Sequence, residues 1–350
     1  MKWLSIPAAL LCLAFAANAE AESRLDHTRI RATSLAGNKI GISPMRGVSV
    51  YLPPDYDTPG KRFPVIYFLN NMKETETEPF TTYDAKALLD AAIADGTIGS
   101  VIVVTADFST PLGSSWYVNS PVTGNWQDFM VKELVPHIDN HYRTLASRDS
   151  RGMAGDRMGG YGAIRFGMTH PDVFGAVYAL HPVGTGNGVQ PMHGRPDWDR
   201  LQAAKSLTDL DGDLFGSIFT SIYQAHVPNA AHPPLYVDLP ARRENGVVDV
   251  DAAQTGRLIK NFLLVNHLPE RAGNLKRLRA FKFDWGRNDS NYDHVIANQA
   301  FARMLDEYGV TYEAEEYRAW WGERTWGKDG RVMTDLLPFF AKNLAFAGHK

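Results

Sequence analysis

The order of apolar runs and helical patterns along the chain predicts an α/β fold with a mostly parallel sheet. Three observations carry this. Short β-branched or apolar runs alternate with helical stretches, the pattern of parallel strands joined by crossover helices. At 350 residues with 44% hydrophobic content, the chain is large enough to bury a full core. A glycine-rich turn, Gly155-Asp156-Arg157-Met158-Gly159, sits between one such run and a helical pattern. The expected architecture is a doubly wound sheet with helices on both faces.

In chain order, the strands are expected at Gly47–Leu52, Pro64–Leu69, Val101–Thr105, Arg151–Ala154, Ala176–Leu180, Leu235–Asp238 and Ala280–Phe283. The helices are expected at Tyr83–Asp95, Trp126–His141, Gly160–His170, Ala253–Val265 and Asp293–Gly309. The stretch from Gly184 to Asp213 is rich in Gly, Pro and Asp and reads as a cap-like, irregular excursion over the sheet end. Residues 1–19 read as a secretory signal: Lys2, an apolar stretch from Ile6 to Ala17, then Ala17-Asn18-Ala19, with a second possible cut after Ala21. Residues 22–350 are expected to form one domain, exported to the periplasm or the cell exterior. Cys12, the only cysteine, falls inside the signal, which leaves the mature chain without a thiol nucleophile. A net charge of −3 with no long block of one sign gives no reason to expect a nucleic acid or membrane partner.

The glycine-rich turn has the Gly-x-Ser-x-Gly spacing of a nucleophile elbow, but Arg157 stands in place of the serine. A guanidinium stays protonated and offers only donors, so it neither attacks a carbonyl nor forms an acyl-enzyme.

The chain resembles the esterase family of α/β-hydrolases, the group with esterase D, feruloyl esterases and the antigen 85 mycolyltransferases. The resemblance rests on Tyr51-Leu52-Pro53-Pro54-Asp55-Tyr56, Phe63-Pro64-Val65-Ile66-Tyr67, the stretch from Phe129 to Arg143, the elbow, and His170-Pro171-Asp172-Val173-Phe174-Gly175-Ala176. It implies an α/β-hydrolase fold and a Ser-His-Asp triad, which this chain then departs from. Phe283-Asp284-Trp285-Gly286-Arg287-Asn288-Asp289 matches the acid segment, making Asp289 the matched acid. At the histidine position stands Arg324 or Trp321, depending on one gap, and no histidine lies between His294 and His349. Where the family has His-Gly after the strand, Asn70-Asn71 lead into the acidic loop Lys73-Glu74-Thr75-Glu76-Thr77-Glu78.

Several readings follow. Arg157, at the N-terminus of the helix after the elbow, joined by Arg324 if its loop folds as in the family, would suit an anionic or carbohydrate-linked ligand, with Asn70, Asn71 and Met158 around it and Trp116 and Trp321 as stacking platforms. A pseudo-esterase that binds such a ligand is the favoured function. Internal acids, Asp156 or Asp289, could instead neutralise the arginines as a structural plug. A serine-independent hydrolase or lyase would use Asp289 with Asp156 or His181 as acid and base, and the arginines as substrate clamps. A scaffold that uses only its surface is a further class. No cofactor or metal is expected: Asp289, Asp293 and His294 have workable spacing, but no established metal motif accompanies them.

Overall fold

The structure is a computed structural model, which describes residues 22–188, 194–320, 322 and 325–347. The expected signal segment, Arg324 and Trp321 lie outside the described residues. Among these residues an eight-stranded sheet forms, built from β1 (Arg24–Arg31), β2 (Met45–Leu52), β3 (Val65–Leu69), β4 (Ile102–Ala106), β5 (Arg151–Asp156), β6 (Ala176–Leu180), β7 (Ala280–Gly286) and β8 (Glu313–Tyr317). Their spatial order is β1-β2-β4-β3-β5-β6-β7-β8. β1 and β2 pair antiparallel, as do β2 and β4, and the remaining pairs are parallel.

Alternation along the strands sorts side chains to two apolar layers. Val65, Tyr67 and Leu69 of β3 face the layer that contains helix α2 (Met158–Thr169). Ile66 and Phe68 face the other layer, against α1 (Ala85–Ala94) and α6 (Leu337–Asn343). Because both faces are covered, β3 and β4 are buried at every residue, which is why they read in sequence as unbroken apolar runs. Between β6 and β7 lie α3 (Leu214–His226) and α4 (Ala252–Phe262), and α5 (Tyr292–Glu307) follows β7.

Several expectations are corrected here. Leu235–Asp238 is not a sheet strand: Val237 makes a lone bridge to Pro228, and Tyr236 sits at φ 57°, a left-handed backbone that interrupts extension. β1 and β8 escaped notice because each is an edge strand with polar, partly exposed side chains, so neither shows an apolar run. The 184–213 excursion is not irregular throughout. It contains a helix over Trp198–Ala203 and a helical turn over Leu207–Leu210, with Trp198 and Leu210 fully buried.

The elbow depends on glycine for close approach. A Cβ on Gly159 would lie 1.9 Å from the carbonyl oxygen of Leu69, so β3 and α2 could not meet there otherwise. At Gly256 in α4 an added Cβ would have nothing within 4 Å, so this residue only carries the entropic cost of glycine in a helix. Gly159→Ala is therefore expected to cost more than about 3 kcal/mol or to prevent folding, whereas Gly256→Ala should stabilise by about 0.5–1 kcal/mol, both read by urea denaturation.

Candidate active site

At the end of β5 the chain turns into α2 through Arg157, held at φ 55° and ψ −104°. Positive φ is costly for a residue with a side chain, and it persists only where surroundings enforce it. Here they do. The Arg157 N–H donates to the Leu180 carbonyl at 2.9 Å, and the Arg157 carbonyl accepts from Tyr161 N–H at 3.0 Å. The sharp turn of a nucleophile elbow is thus kept, with a guanidinium at its tip.

Two carboxylates meet that guanidinium. Arg157 Nη2 lies 2.9 Å from Asp156 Oδ2 and 3.5 Å from Glu74 Oε1. Glu74 comes from the loop after β3, and its other oxygen, Oε2, accepts the Asn71 N–H at 2.9 Å. In this fold the loop after that strand supplies one backbone donor of the oxyanion hole. The Glu74 carboxylate accordingly bridges a backbone donor of that loop and the arginine at the nucleophile position. The cavity here is about 70 Å³ and is lined by Phe68, Glu74, Tyr83, Asp156, Arg157, Gly322, Thr325 and Trp326.

Burial raises the pKa of Asp156 to about 7, with Arg157 pulling it down and Glu74 and Asp284 pushing it up. Burial also raises Glu74, partly offset by the Asn71 N–H and by Arg157. Among the described residues the site therefore holds the Arg157 guanidinium between two carboxyl groups, Asp156 and Glu74, that are each easier to protonate than usual. Asp156 Oδ1 is buried and has no hydrogen-bond partner among the described residues, which a protonated carboxyl tolerates better than a carboxylate.

A second polar chain runs beside the elbow. His181, at the end of β6 with φ 43°, has its Nδ1 facing the Gly286 N–H at 3.0 Å and its Nε2 facing Asp289 Oδ2 at 2.9 Å. A backbone N–H can only donate, so Nδ1 carries the lone pair and Nε2 carries the proton that goes to Asp289. Burial lowers the His181 pKa, keeping the ring neutral. On the other side, Arg195 Nη2 donates to Asn291 Oδ1 at 2.7 Å, Asn291 Nδ2 to His294 Nε2 at 2.7 Å, and His294 Nδ1 to Asp289 Oδ2 at 2.8 Å. The Asn291 N–H reaches Asp289 Oδ1 at 2.7 Å. Every donor points toward Asp289, whose pKa falls well below the carboxylate range because these hydrogen bonds outweigh its burial.

This arrangement corrects the acid/base expectation for Asp289 and His181. Asp289 is too weak a base, and both ring nitrogens of His181 are already engaged. His181, Asp289 and His294 come close enough together to hold a metal ion. The donor set does not fit one, since an Nε2 ligand would move the His181 proton to Nδ1, against the Gly286 N–H. Asp156 is brought to the site, as a partner of Arg157. Asn70 is buried, its Nδ2 bonded to the Thr75 carbonyl and its carbonyl accepting from Tyr117; Asn71 reaches the site through its N–H. Trp116 is not a stacking platform: it is 1% exposed, its Nε1 donates to Ser221, and its ring packs on Tyr161 and Phe262. Met158 is buried in the α2 layer. Sequence reasoning missed Glu74, Tyr83 and Thr325 as site residues. For Glu74 a signal was present: an acidic loop replaces a glycine-bearing one in the same chain that gains an arginine at the elbow.

Similar proteins give a consistent frame. Residues 42–211 match the family described as Putative esterase. An esterase of Mycobacterium tuberculosis is 28% identical over 283 residues, covering 79% of this chain and 52% of its own length. A bifunctional endo-1,4-beta-xylanase/feruloyl esterase of Xylanibacter ruminicola is 33% identical over 135 residues, 37% of this chain and 19% of its own. The chain spans about half the length of the mycobacterial relative. Among solved structures, a ferulic acid esterase superposes with a TM-score of 0.64 at 20% identity, over 92% of this chain and 99% of that one. The S-formylglutathione hydrolase of Staphylococcus aureus gives 0.57 at 15% identity, over 91% and 99%.

The raised Asp156 pKa has a stability consequence. An unfolded aspartate titrates near 3.9, so the folded state binds this proton more tightly. That contribution is fully present below about pH 4 and is lost as pH rises through 7. Asp156→Asn removes the titration. Its stability relative to wild type should improve by about 2 kcal/mol between pH 5.5 and 8.5, measured by denaturant unfolding at both values.

Proposed function

From the premise that this chain belongs to the esterase family of α/β-hydrolases, we propose that it is a pseudo-esterase: it recognises a ligand carboxylate at the former nucleophile position and does not hydrolyse esters. The observation that carries the reading is the Glu74 carboxylate, held between the Asn71 N–H and the Arg157 guanidinium. An internal carboxylate in that place marks the chemistry the place accepts. Its contact with Arg157, at 3.5 Å, is longer than that of Asp156, at 2.9 Å, and is the one that an incoming carboxylate exchanges with.

Hydrolysis lacks its parts. Arg157 cannot attack, and a reinstated serine would find no free base, since His181 is committed to Gly286 and Asp289. Removal of a serine-triad nucleophile alone costs about 10⁶ in kcat in a well-studied serine protease. A cavity of about 70 Å³ takes a carboxylate head group, and the aromatic edge of Tyr83 and Trp326, stacked at 10° between planes, borders it. The body of the ligand is an aromatic or saccharide-linked unit in this reading, consistent with the relatives named feruloyl esterase.

Binding is coupled to protons. A ligand carboxylate entering beside Glu74 and Asp156 is repelled while both are ionised, and protonation of either removes that repulsion. Small aromatic carboxylates should bind about tenfold more tightly at pH 6 than at pH 8, measured by calorimetry. Glu74→Ala should bind acetate and benzoate more tightly than wild type at pH 8, and Arg157→Ser should bind neither. Arg157→Ser should also leave aryl-ester hydrolysis at the uncatalysed rate. Affinity unchanged in Arg157→Ser, or ester turnover by the wild type, would sink the reading.

A further inference from the structure

A second cavity lies at the opposite end of the sheet from the elbow. Its walls come from Phe63 and Pro64 before β3, Gly99 and Ser100 before β4, Arg279 before β7, and the end of α6 with the residues after it. These are the N-terminal ends of parallel strands, whereas the elbow stands at the C-terminal end of β5. The volume is about 630 Å³, within the ordinary range for a small-molecule site.

Four cations and no acid line the cavity: Lys61, Arg62, Arg279 and Lys342. Lys61 is paired with Asp55, and Arg279 lies 3.3 Å from Asp149. Arg62 donates to the Thr144 carbonyl, and neither it nor Lys342 has an ion pair among the described residues. About two positive charges are thus left without an acid. The remaining wall is apolar, with Pro64, Ala341, Leu344 and Phe346.

The apolar wall is fixed in place. Ala345 N–H donates to the Asp149 carbonyl at 2.8 Å, the Ser150 hydroxyl to the Ala345 carbonyl at 2.7 Å, and Arg279 Nε to the Asn343 carbonyl at 3.1 Å. The Phe346 ring seats on Gly99, where an added Cβ would come within 3.0 Å of it. A held apolar wall facing Arg62 and Lys342, which have no ion pair among the described residues, is complementary to a molecule with an anionic head and an apolar body.

We propose that this groove is a second binding site, for a small amphipathic organic anion, independent of the elbow. The anionic head sits between Arg62 and Lys342 and the apolar body lies along Leu344 and Phe346. Alkyl phosphates and alkyl carboxylates share this chemistry.

The test is calorimetric titration of the full chain with octyl phosphate below its micellar range, beside octanoate, inorganic phosphate and the neutral octyl glucoside. Octyl phosphate and octanoate should each bind at least tenfold more tightly than inorganic phosphate or octyl glucoside, and the tighter of the two identifies the head group. Lys342→Glu, at an exposed helix position, should weaken that binding about tenfold, Lys342→Met less so, and Arg157→Ser should leave it unchanged. Equal affinity for inorganic and octyl phosphate, indifference to Lys342→Glu, or loss in Arg157→Ser would overturn the proposal. The last outcome assigns the anion to the elbow instead, so the two sites fail separately.

Discussion

The ion pair between Arg157 and Asp156 is the constraint on which the candidate site depends. It places a permanent cation on a backbone turn that the fold otherwise uses to project a nucleophile. A cation so deep needs compensation, because burying an unpaired charge is far more costly than pairing it. Asp156 supplies it directly below, and Glu74 supplies it from the loop after β3. Through Glu74 the same requirement reaches the Asn71 N–H, so the arginine and the acidic loop form one electrostatic unit.

Asp289, the residue that matches the family's acid segment, serves here as a hydrogen-bond hub. Asp289 gathers hydrogen bonds from His181, His294 and the Asn291 backbone, and Arg195 continues the chain outward from Asn291. This ties the end of β6, the segment after β7, the start of α5 and the Arg195 loop to a single carboxylate. Three donors on one carboxylate hold it ionised and orient two imidazoles, which favours rigidity over proton transfer. Asp284, within β7, also accepts from Arg331 and Tyr178, but there burial outweighs those bonds and raises its pKa.

Much of this fold was legible in sequence, and the reason is burial. β3, β4 and β6 are covered on both faces, so they appear as largely apolar runs; β1 and β8 lie at the edges and carry polar side chains that hide them. The arginine at the tip of the elbow was legible from one position, since Arg157 falls within a fixed spacing of glycines. The partners of Arg157 were half legible. Asp156 is adjacent in sequence, but Glu74 is 83 residues away and meets Arg157 only because β3 lies beside β5. Trp116 was misjudged because an aromatic in a polar-looking segment gives no sign of which way it turns, and its ring turns inward against Tyr161 and Phe262.

Intact-mass analysis after incubation with a reactive fluorophosphonate tests the central claim most directly, because that reagent forms a phosphonyl adduct with an activated serine and leaves none on an arginine. The mass is expected to stay unchanged under conditions that fully label an active feruloyl esterase. A stoichiometric adduct would show an activated hydroxyl in this chain and contradict it.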